Sequence, residues 1–187
     1  MSDFEFTFAL FGLLLGLSLA EVLSGVARAI EARLRLGPAL RIGWLTPLLG
    51  AFVILDLLSF WQAAWVSRNV VEVSGLTLMA ITAFAGSYYL AASLVFPRAV
   101  GGEIDFDDHF FRVRRLVIGA MLVLLIVQLG FYLGAPELAV RLRNPLALAL
   151  TAILVILMIT AMAVRGQLWC RVAMIALVGR YVAVYLL

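Results

Sequence analysis

The sequence contains no lysine, and all 14 of its basic residues are arginine. Without lysine there is no retinal Schiff base and no phosphate-binding loop ending in Gly-Lys-Ser/Thr. Histidine occurs once, as His109. One chain therefore cannot supply a bis-histidine haem site or a His-Glu-x-x-His zinc site. Cysteine also occurs once, as Cys170, which excludes an intramolecular disulfide and a cysteine-based metal centre. The Thr-Val-Gly-Tyr-Gly filter of potassium channels is missing. These absences lead us to expect no cofactor. A Ser–His catalytic pair would need His109 to reach a serine inside a span. The sequence thus does not read as an enzyme, and an interfacial lipid enzyme built around His109 ranks last among the alternatives.

Charge is scarce as well. Charged residues make up 13% of the chain and hydrophobic ones 65%, against about a quarter and a half in soluble domains. Mean hydropathy is +1.13. The expected solvent is lipid, and the expected fold is all-α: a polytopic transmembrane helix bundle forming one domain over residues 1–187. About 20 apolar residues cross the hydrocarbon core. Stretches 4–27, 44–66, 76–96, 116–134, 145–164 and 171–187 approach that length, giving six spans. The last is short and carries Arg180, so the count drops to five if it lies along the interface. Residues 28–36 should continue the first helix beyond the membrane, to a stop at Gly37-Pro38. Residues 105–115 should form a short amphipathic helix leading into span four, with Asp105 and Asp108 in a capping arrangement.

The arginines give the orientation. Ten lie in loops one, three and five, against Arg68, Arg141 and Arg143 in loops two and four. By the positive-inside rule both termini are expected outside, in the periplasm of a bacterial inner membrane. The apolar N-terminal stretch follows Asp3 and Glu5 and precedes Arg28, the reverse of a secretory leader, so it reads as a first span. The basic balance reflects topology, and no nucleic-acid role is expected.

The chemistry-bearing residues are the polar ones within the spans, where a charge is costly. At 1.5 Å per residue, Glu21 lies about 10 Å inside the Arg28 boundary, Asp56 about 18 Å beyond Trp44, and Arg180 about 13 Å beyond Arg171. These depths overlap, so an Arg180 bridge to Asp56 or Glu21 is geometrically allowed. Gln62 and Gln128 add uncharged polarity. Burial favours the neutral form of a carboxyl group, which can then bind and release protons at physiological pH. Asp56 and Glu21 are accordingly read as transport residues. The competing reading is an ion pair that fastens span six.

Gly12, Gly16, Ala20 and Ser24 recur every four residues and form a small-residue stripe for close helix packing, either within the chain or at a homo-oligomer seam. Tyr88 and Tyr89 read as interfacial belt residues, together with Trp44, Trp65 and Trp169. The acidic run 103–109, with Asp105, Asp108 and His109, is a weak metal candidate better explained as a solvated helix start. Two functional classes remain. One is a small oligomeric channel or transporter for ions, protons or a small solute, which predicts a water path to Asp56. The other is a non-catalytic scaffold or accessory subunit binding partner proteins or anionic membrane lipid.

Overall fold

A computed structural model describes residues 3–37, 42–68, 70–71, 74–98 and 105–186. Pro38, Arg41 (one of the ten loop arginines) and Glu103, the start of the acidic run, lie outside the described residues, as does the side chain of Arg141. The described residues form helices α1 (Asp3–Leu36), α2 (Leu45–Val66), α3 (Gly75–Ser93), α4 (Phe106–Gly134), α5 (Pro136–Leu142), α6 (Pro145–Ala163) and α7 (Gln167–Leu186). Six of these, all but α5, are long and apolar enough to cross a membrane. The stretch carrying Arg180 is thus a helix of spanning length. The protein is an all-α integral membrane protein.

Helix boundaries follow local chemistry. α1 runs unbroken through its arginine-bearing extension and ends where Gly37 adopts φ 59°, a left-handed C-cap. The Ser74 side chain caps α3 by accepting from Thr77 N–H at 3.1 Å. Asn144 does the same for α6, accepting from Leu146 N–H at 2.9 Å with Pro145 next to it in the first turn. Two boundaries differ from expectation. The amphipathic segment before span four is not a separate helix: no glycine or proline interrupts residues 106–118, so it is the first part of the 29-residue α4. The short helix α5, which begins at Pro136, is not among the expected stretches.

α2 packs against α1, α4 and α7, and α4 also against α3, α5 and α6, while α1 packs along α3 and α6 along α7. The buried face of α2 presents Leu49, Phe52, Val53, Leu57 and Phe60. Large apolar side chains such as Leu13, Met79, Ile126 and Ile156 point outward, as a lipid solvent allows. Outward hydroxyls satisfy themselves: Thr82, Ser87 and Thr160 each donate to the carbonyl four residues earlier. The antiparallel run of spans puts the starts of α1 and α3 and the ends of α2 and α4 at one face of the bundle. We call it the N-terminal face; the opposite face carries most of the arginines.

Candidate functional site

Asp56 lies on the buried face of α2, halfway along the helix, with 4% of its surface exposed. Two phenols from two other helices hold it. Tyr88 of α3 donates to Oδ2 at 2.7 Å, and Tyr181 of α7 donates to Oδ1. The Tyr88 hydroxyl also lies 3.2 Å from the Val53 carbonyl. One carboxyl group therefore fastens α2, α3 and α7 together in mid-bundle, with a hydrogen-bond partner on each oxygen, as burial demands. Tyr88 is fully buried and is no belt residue. It stands 13 residues into a 19-residue helix, a depth readable from sequence once α3 is placed. Tyr181 gave no signal of its own.

The arginine bridge is not formed. Arg180 Nη2 donates to the Leu150 carbonyl of α6 at 3.1 Å, its guanidinium carbon stands 4.9 Å from the Tyr181 ring, and its buried Nε has no partner. Consecutive helical residues point about 100° apart. Tyr181 takes the direction facing Asp56, so its neighbour Arg180 is turned towards α6. Glu21 is engaged elsewhere, pairing with Arg28 two turns along α1 at 3.3 Å. Gln62 is exposed, and Gln128 is half-buried on a cavity wall.

That cavity, of about 540 Å³, opens at the N-terminal face among α1, α2, α3 and α4. Thr7, Phe11, Phe60, Phe84, Gln128 and Tyr132 are among its lining residues, and among the described residues no charged one lines it. Asp56 does not line it either, so this cavity is not itself the water path expected to reach Asp56. Rings fill the gap. Phe60 packs edge-on against Phe84 at 5.2 Å and against Tyr88 at 5.5 Å between centroids. One aromatic layer thus separates the cavity from the phenol that binds Asp56. Trp61, one residue on, backs Phe8 at 5.7 Å and does not line the cavity.

At the arginine-rich face the acidic run has a structural occupation. Asp105 caps α4, accepting from Asp107 N–H at 2.8 Å. Asp107 is buried, accepts the Leu45 N–H of α2 at 3.1 Å and pairs with Arg171 of α7 at 3.5 Å. Its carboxylate occupies the space a Cβ on residue 43 would need, so Gly43 is required there. Thr46 Oγ1 donates to the Phe106 carbonyl at 2.5 Å. Asp108 is exposed and His109 Nε2 lies 3.1 Å from the Leu94 carbonyl. Among the described residues no three His, Cys, Asp or Glu side chains converge as metal ligands. Arg114, 3% exposed, donates to the Ala161 carbonyl at 3.1 Å and to Cys170 Sγ at 2.8 Å, and its guanidinium carbon stands 4.8 Å from the Phe111 ring.

The small-residue stripe of α1 faces outward along most of its length. Gly16, Ala20 and Ser24 are exposed, and a Cβ on Gly16 would meet nothing within 4 Å. Only Gly12 touches the bundle, with the Trp61 ring 3.0 Å from where its Cβ would be. The small residues that do pack inward are Ser18, Gly25, Ala29 and Ala32, on a neighbouring stripe. No protein-family model, curated protein or solved structure matches this chain.

Proposed function

We propose that the protein is a small proton-linked membrane carrier, with Asp56 as its proton-binding group and the cavity at the N-terminal face as its solute site. The observation that carries this reading is the chain of contacts from the cavity through Phe60 and Tyr88 to Asp56. A carboxyl group in a membrane interior is costly and marks a proton or ion pathway more often than a structural element. Here it is shared by three helices, so a change in its protonation alters how α2, α3 and α7 are held together. Because Phe60 and Phe84 close the route from the cavity to Asp56, the arrangement favours a gated carrier over an open channel. Glu21 drops out of the pathway, since its charge is already matched by Arg28.

The test is proton flux into proteoliposomes containing a pH-sensitive dye. Asp56→Asn keeps a side chain of the same size and should reduce protein-dependent flux at least about tenfold, the scale on which a lost general acid–base group acts. Wild-type flux in the Asn variant would end the proposal. A second reading, a non-transporting subunit that binds another transmembrane chain, draws support from the outward Gly16, Ala20 and Ser24.

A further inference from the structure

The cavity is bounded by residues whose chemistry restricts its occupant. Among the described residues its walls are mainly aromatic and aliphatic, and the polar side chains there, such as Thr7, Thr77 and Gln128, are uncharged. A charged or strongly polar solute would lose its hydration there without gaining a counter-charge. The mouth is different. Ser67 lines the cavity, and the next residue, Arg68, is exposed with its guanidinium 5.0 Å over the Trp65 ring. Trp65 in turn packs edge-on against Phe8 of the cavity wall at 5.8 Å. Trp65, backed by a ring of the cavity wall, thus holds a cation beside an apolar pocket. Glu5, exposed near the start of α1, does not line the cavity. Leu76, also on the lining, is 78% exposed on a helix of spanning length, an apolar side chain suited to lipid at the edge of the pocket.

We propose that this cavity binds an acyl chain of an anionic phospholipid, with Arg68 on the headgroup phosphate. This rests on reading the cavity as the solute site and names the class of solute. A volume of about 540 Å³ lies in the range of small-molecule sites. Apolar walls solvate the chain, and the rim arginine supplies charge complementarity that a zwitterionic headgroup offsets internally. Phe60, the floor of the cavity, is also the ring against Tyr88, so an inserted chain presses on the residue that holds Asp56.

Native mass spectrometry of the purified chain, offered phosphatidylglycerol and phosphatidylcholine with identical acyl chains, tests this. Wild type should retain phosphatidylglycerol in preference by about five-fold, the effect expected of one arginine near an anionic headgroup. Arg68→Gln changes an exposed side chain and should remove the preference while leaving some retention of both lipids. Ala80→Trp, on the cavity wall, should lower retention of both. Equal retention of the two lipids by wild type, or unchanged retention in Ala80→Trp, overturns the assignment. Asp56→Asn separates it from the carrier reading. Asp56-dependent proton flux with no lipid preference sinks the lipid site alone. Selective retention with flux indifferent to Asp56 sinks the carrier reading and keeps the site.

Discussion

The two ends of the bundle are built differently. At the arginine-rich face, helix ends are joined by polar contacts that reach across the fold: Asp107 to Leu45 and Arg171, Thr46 to Phe106, and Arg114 to Ala161 and Cys170. At the N-terminal face the walls are mainly rings and methyl groups around a cavity, crossed by a long hydrogen bond from Tyr132 to the Ala63 carbonyl at 3.5 Å. Helices in lipid gain little from burying apolar surface against one another, so packing and hydrogen bonds decide where they hold. The contrast assigns the anchor to one end and the yielding part to the other, with Asp56 between them.

Three substitutions test that division, beginning with the largest effect. Asp107→Ala removes the partner of a buried N–H and of Arg171, and should cost about 3 kcal/mol, the upper end for a buried group left unpaired. Unfolding of the detergent-solubilised protein measures it, and a cost near zero would mean that this end is not the anchor. Phe60→Ala removes the layer over Tyr88. We expect about 2 kcal/mol, less than is usual for phenylalanine in a water-soluble core, because lipid supplies no hydrophobic drive. It should also raise passive proton leak in proteoliposomes; an unchanged leak would show that Phe60 is not the seal. Gly16→Ala should have the smallest effect, a gain of up to about 1 kcal/mol from reduced backbone freedom in the helix. A loss instead would show that another chain packs against this glycine, favouring the subunit reading.

Much of the fold was legible in the sequence. Apolar run length located the six spans, and Asp105 and Gly37 marked a helix start and a helix stop by local chemistry alone. The depth of Asp56 was readable because it depends only on residue count along one helix. Its partners were not, since Tyr88 and Tyr181 lie 32 and 125 residues away and meet it only through packing. The same limit explains Arg180: counting gives its depth, but a single step of helical rotation decides whether it faces Asp56 or Leu150. The α1 stripe shows the matching case for small residues. Fourfold spacing establishes that Gly16, Ala20 and Ser24 share a side, and says nothing about which way that side faces. Asp107 was overlooked beside Asp105 and Asp108 because its occupation, capping α2, lies outside its own helix.

That cap has a bearing on biogenesis. The first N–H of the second helix is satisfied by a carboxylate encoded 62 residues later, and the carboxylate's counter-ion lies 64 residues beyond that. During synthesis the second span therefore enters the membrane with its leading end incomplete. The bundle closes only after the fourth span has delivered Asp107 and the last has delivered Arg171. A chain truncated after the third helix should insert but remain open to degradation, whereas one lacking only the last helix should keep the cap and lose its counter-charge.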